Sequence, residues 1–290
     1  MTLRHRPWET AADFTIGLKP IPIAAWLEGG EADPATRKDA LLAAHPGLVW
    51  AEAQGSRPGQ GEALEMVEAA LGPAPAPPGL PPLYAAARRV PDDLCLMEKR
   101  DGAWRLTALS LSAGSFFTAE AVIGRSLAEL HAPVTGFAEG LLGRVQRIFE
   151  GLRPGLVLER RNWTLLNCAD LHTPSPVPIR ARIGAIAPAD AGRVLQLRVE
   201  RQTLRRLPRT GGALFTIRVW LAPLESLADE PARLAAFATA WRTAPAAFRA
   251  YKRLDLYDGL VEGFLRCVGA PGGDEDTRRA GGSQRPKARL

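Results

Sequence analysis

Two stretches of alternating hydropathy, joined by a short linker of proline and glycine, constrain this chain more than any other feature. Between Arg193 and Arg201, Leu195, Leu197 and Val199 alternate with Gln196, Arg198 and Glu200. Ala213–Leu221 alternates likewise, and LPRTGG, Leu207–Gly212, joins the two. A period of two reads as strand, and a connection carrying Pro and Gly reads as a hairpin. Leu94–Lys99 and Trp104–Ser110 flank the turn signal Arg100-Asp101-Gly102 and make a second hairpin. Leu156–Asn162 is a further strand candidate.

Helical spacing lies between and after these hairpins. A run from Ala119 places Val122, Ile123, Leu127 and Leu130 on one face and stops at Pro133. The next gathers Phe137, Leu141, Val145, Ile148, Phe149 and Leu152. Near the end, a helix from about Asp229, with Pro231 in its first turn, aligns Leu234, Phe237, Ala238 and Trp241. Another spans roughly Leu256–Val268. Hairpins with helices inserted between them and helices at the end predict an α+β fold around an antiparallel sheet. No regular β-α alternation and no G-x-G-x-x-G occurs, which disfavours a dinucleotide-binding domain.

The chain has 290 residues, 46% hydrophobic and 23% charged, so it is globular. Gly72–Pro82, GPAPAPPGLPP, reads as a stiff connector. It divides an N-terminal arm, residues 1–82 with a short helix at Glu62–Leu71, from a body at 83–268. Residues 269–290 are Gly-rich and charged and read as a disordered tail. No apolar run approaches the roughly 18 residues of a membrane span. MTLRHRPWETAADF lacks the apolar core of a secretory signal, so the expected compartment is the cytoplasm.

The chemistry-bearing residues are few. Cys95, Cys168 and Cys267 are far apart, so an iron–sulfur or zinc site is not expected on this chain. His5, His45, His131 and His172 form no spaced pair. No nucleophile elbow or phosphate loop is present. Most of the formal +6 charge comes from Arg193, Arg198, Arg201, Arg205, Arg206 and Arg209, opposed only by Glu200. Such a run is either a solvated face or an anion site. Nucleic acid is disfavoured because no aromatic residues interleave with the arginines. A ligand with two carboxylates, such as the propionates of haem, also suits planar guanidinium groups. Strict alternation puts Arg201 on the core face with Leu195, where it needs an acid or a bound anion unless the strand has already ended. His131 ends a helix, which suits the helix dipole and equally suits a single axial ligand to haem iron. His172, among prolines, reads as an exposed loop residue. Glu200 can pair with a neighbouring arginine, and nothing marks Cys168 as reactive.

The segment Leu197–Leu224, LRVERQTLRRLPRTGGALFTIRVWLAPL, resembles the signature of the haem-dependent oxidative N-demethylase α-subunit-like family, once a domain of unknown function. Three shorter matches keep the family's order. Asp92–Met97, DDLCLM, resembles its acidic pair and apolar strand. Leu130–Val134, LHAPV, resembles its I-H-x-P-V-P motif, with Thr135 in place of the last proline. Arg161–Thr164, RNWT, resembles its R-x-N-W-S/T segment, and Tyr251-Lys252 its later Tyr-Lys pair. The resemblance implies a PAS-like haem-binding domain with b-type haem on one histidine. It implies oxidation by O2 of a small secondary amine such as dimethylamine, giving a primary amine and formaldehyde. Electrons would come from NADPH through a partner reductase bearing flavin and an iron–sulfur cluster. Carried over, His131 is the axial ligand, and Arg161, Arg201, Arg205 and Arg206 are propionate contacts. Glu200 holds a cationic amine or pairs internally. The other expectations for the same fold are a non-catalytic haem sensor and a haem-free interaction domain.

Overall fold

The computed structural model describes residues 5–9, 17–132 and 141–270. Its strands are β1 (Lys19–Ile21), β2 (Trp50–Glu52), β3 (Asp93–Arg100), β4 (Ala103–Ser110), β5 (Val157–Leu166), β6 (Gln196–Arg206) and β7 (Ala213–Pro223). They form one antiparallel sheet in the order β1-β5-β6-β7-β3-β4-β2. The five long strands, taken in chain order as first to fifth, run 2-1-5-4-3. The helical crossover lies between the second and third. This arrangement fits the PAS-like α+β fold that the resemblance implies.

The long hairpin forms where the alternation places it. β6 and β7 pair over eleven residues each, from Gln196 opposite Pro223 to Arg206 opposite Ala213. The β3–β4 turn places Asp101 at φ 50° and Gly102 at φ 77°, the left-handed pair that a tight hairpin turn of matching twist requires. The helical run from Ala119 is broken in two. Gly124, at φ 77°, turns the chain between a short helix at Ala119–Val122 and another at Leu127–His131. Ser126 begins the second with a capping box: its hydroxyl accepts from the Glu129 N–H, and the Glu129 carboxylate accepts from the Ser126 N–H. The next helix spans Leu142–Gly151, and Phe137 lies outside the described residues, as does Pro271–Leu290.

Alternation gives the sheet two unlike faces. On the first, Trp163, Leu165, Leu197, Val199 and Trp220 pack against Leu234, Phe237 and Trp241 of the Pro231–Thr243 helix and Val261 and Phe264 of the Asp258–Cys267 helix. At the other end of this face, Leu94, Leu96, Val157 and Leu214 pack against Trp26 and against Ala63 and Val67 of the Arg57–Leu71 helix. On the second face Cys95, Met97, Leu204, Phe215 and Ile217 meet Val122, Leu127, Phe149 and Leu152.

The division expected at residue 82 is not where the packing divides. β1 and β2, at the two edges of the sheet, both precede the Pro-rich connector, and so does the Arg57–Leu71 helix that covers the first face. The connector spans the surface, but apolar burial runs across it without a break. Among the described residues no helix is long and apolar enough to cross a membrane.

Candidate functional site

The arginine run does not converge on one point. Arg193 reaches Asp190, and Arg209 reaches Glu65. Arg205 lies over the ring of Trp26, 4.1 Å from its centroid, with a buried Nε that meets no hydrogen-bond partner among the described residues. Arg206 lies over Trp104 and donates to the carbonyl of Phe149 near the C-terminus of the Leu142–Gly151 helix, 3.3 Å. The neighbouring positions of one strand point to opposite faces, so the charges are dispersed.

Arg201 lies inside on the first face, 1% exposed, as strict alternation requires. The strand continues past it to Arg206, so the reading in which the strand has ended there is overturned. Its partners belong to the protein. The guanidinium meets Glu159 at 2.5 Å and Glu28 at 3.3 Å and donates to the carbonyls of Ala25 and Trp26. Arg161, opposite Arg201 in the register, pairs with the second oxygen of Glu159, 2.9 Å. Arg161, Arg201 and Arg205 therefore share the first face, where Arg201 and Arg205 tie the N-terminal segment to the sheet.

His131 and Glu200 lie on the second. His131 ends the capped helix whose Leu127 packs with Leu204. Its Nδ1 lies 2.8 Å from the carbonyl oxygen of Leu127. A carbonyl only accepts, so Nδ1 carries the proton and Nε2 is the basic nitrogen. Burial holds the imidazole below its ordinary pKa, and the nearby charge of Arg160 adds to this against the Leu127 hydrogen bond. The ring is thus fixed in orientation and tautomer and kept neutral, the state a metal requires of it.

Glu200 accepts from Arg198 at 3.1 Å on one oxygen and from the Gln202 amide at 3.0 Å on the other. Burial raises its pKa, but the charges of Arg198 and Lys252 and the two hydrogen bonds outweigh that and hold it below the ordinary value. Arg198, 1% exposed, is completed by the carbonyls of Leu171 and Ala113. The outcome is a part-buried, ionised carboxylate on the floor of the sheet.

The sequence reading missed two cations beside it. Arg160 stands opposite Gln202 on this same face, and its buried Nε meets no hydrogen-bond partner among the described residues. Lys252 ends the Ala246–Lys252 helix, its ammonium 5.1 Å from the centroid of the Tyr251 ring. Burial pushes Lys252 down to about 8, with Glu200 opposing and Arg160 and Arg198 adding to the fall. The signal for Arg160 was in the motif. The spacing R-x-N-W, read from Asn162-Trp163, falls on Arg160, one residue before Arg161. His172 also differs from the exposed loop residue expected, since its Nε2 is buried without a hydrogen-bond partner among the described residues.

A neutral, oriented imidazole, an apolar wall and a floor of one carboxylate among three cations thus share the second face. A family model described as haem-dependent oxidative N-demethylase, alpha subunit-like, matches residues 64–261, a span holding His131, Arg160, Glu200 and Lys252, and the chain belongs to that family.

Proposed function

We propose that the chain is the haem-bearing subunit of an oxidative N-demethylase, with b-type haem held through His131 against the second face of the sheet. The observation that carries this reading is the His131 ring, fixed by its Nδ1 hydrogen bond to Leu127 so that Nε2 is the basic nitrogen. Such a hydrogen bond on the far nitrogen orients metal-ligating histidines in general and strengthens them as ligands. The residues present fit a haem. Phe215 and Ile217, partly buried on this face, supply apolar surface for a macrocycle, and the cations of the floor suit its carboxylates. Arg206 lies on the same face.

When bound, haem supplies the activation of O2 for oxidation of the amine methyl group. The reaction takes a small secondary amine such as dimethylamine to a primary amine and formaldehyde. One oxygen atom ends in formaldehyde and the other in water, with two electrons from NADPH through a partner reductase bearing flavin and an iron–sulfur cluster. Glu200 is the residue for the substrate nitrogen. A carboxylate held ionised in a part-buried site attracts a protonated amine and orients it toward the cofactor. The compartment proposed is the cytoplasm.

The test is the visible spectrum of the haem-reconstituted protein, ferric, ferrous and ferrous-CO, beside His131→Ala. The expected result is a histidine-type Soret band in the wild type, lost or shifted in the variant. NADPH-driven formaldehyde release with a cognate reductase then follows in the wild type and falls at least about a hundredfold in Glu200→Gln. Wild-type protein that takes up no haem would sink the proposal.

A further inference from the structure

The second face carries more positive charge than its own acids neutralise. The charge of Glu200 is balanced by Arg198, although each of its oxygens takes only one hydrogen bond and can accept another, and Arg198 is itself completed by two carbonyls. Arg160 and Lys252 are left over. Among the described residues neither has a carboxylate within ion-pair distance, although the field of Glu200 reaches both. Lys252, in the last turn of its helix, suits the helix dipole, but the dipole does not account for its part-buried place near the like charges of Arg160 and Arg198. A buried guanidinium nitrogen without a hydrogen-bond partner is costly unless something fills the place.

We infer that Arg160 and Lys252 form a carboxylate-binding subsite beside Glu200, on the His131 side of the sheet. A planar carboxylate answers the guanidinium edge with parallel hydrogen bonds and the ammonium with a third. Two sources share that chemistry. One is a propionate of the cofactor, and this source rests on the haem reading above. The other is a carboxylate on the substrate, which would make the amine an N-methylated amino acid rather than a simple alkylamine. In the second case the amine nitrogen lies over Glu200 and the carboxylate over Arg160 and Lys252, so each end of the zwitterion meets opposite charge.

The experiment uses the full chain, with Arg160→Gln, Lys252→Gln, the double variant and Arg160→Lys. N-methylglycine and dimethylamine are titrated calorimetrically into haem-free and haem-loaded protein. Uptake of haem is compared with uptake of haem dimethyl ester. If the substrate is the source, wild type binds N-methylglycine more tightly than dimethylamine, by about tenfold for each cation engaged. If the cofactor is the source, wild type prefers haem to its ester by a similar factor. In either case the preference disappears in the double variant and survives in Arg160→Lys, and circular dichroism confirms that the variants are folded. The inference is overturned if wild type shows neither preference, or if the preference survives in the double variant. If no haem is taken up, the haem reading fails alone, and the N-methylglycine titration of the haem-free chain decides the subsite.

Discussion

Removing the Arg201 side chain takes the buried cation from Glu159 and Glu28, which keep Arg161 and His5, and leaves the carbonyls of Ala25 and Trp26 without their donor. Breaking one side of a buried ion pair costs roughly 3–5 kcal/mol. Arg201→Met is therefore expected to lower the free energy of unfolding by about that much in urea. The folded fraction should keep the wild-type Soret band, because Arg201 is on the face opposite His131. A changed haem spectrum in folded Arg201→Met would place the cofactor on the first face instead. The need of this residue for an acid was legible in the alternation of β6. Which acid was not, because Glu159 lies 42 residues away and reaches Arg201 only once β5 and β6 pair. Arg160 shows the converse. It stands beside Arg161 in a run with no apolar alternation, so neither periodicity nor charge told which of the two faces the site.

Besides its apolar packing and the Glu65–Arg209 ion pair, the Arg57–Leu71 helix is attached to the long hairpin by the side chain of Glu62. Glu62 accepts from the N–H groups of Arg209 and Thr210 and from the Thr210 hydroxyl, all in the turn between β6 and β7. Burial works against its charge, but these hydrogen bonds prevail and hold its pKa below the ordinary value. A depressed acid contributes stability that is complete above its unfolded pKa and lost as pH falls through the folded one. Glu62→Ala should cost about 2 kcal/mol near pH 7, and its gap from wild type should narrow once the pH drops below about 4. Urea unfolding at both ends of that range checks it. At this scale the sequence was most legible where periodicity is long. β6 and β7 carry eleven residues each, and their pairing follows the alternation. β1 and β2 carry three residues each, too few to show a period, and went unrecognised. The run from Ala119 kept its apolar spacing across Gly124, which concealed the break there.

The molecule as a whole is organised by one sheet buried on both faces, with its edges supplied from before the Pro-rich connector. A chain starting at residue 83 loses β1, β2 and the Arg57–Leu71 helix, and it exposes Leu94, Leu96 and Leu214, each fully buried in the intact protein. Such a truncation is expected to unfold without a cooperative transition and to bind a hydrophobic dye, whereas a simple appendage would leave a sharp thermal transition. The composition of the connector suggested separation, but proline-rich sequence reports only the stiffness of a segment. Where burial continues depends on residues far apart in the chain.

The position of the two short edge strands also bears on how the protein is made. β2 finds its partner when β4 is complete, at Ser110, but β1 cannot pair until β5 emerges, with Lys19 opposite Glu159. β5 in turn joins the sheet only through β6, and β6 reaches β3 only through β7, which ends at Pro223. On the ribosome β1 therefore waits for three quarters of the chain before the sheet can close. Contacts of such separation fold slowly and leave strand edges open meanwhile. Three-residue edges offer little for another chain to pair with during that wait.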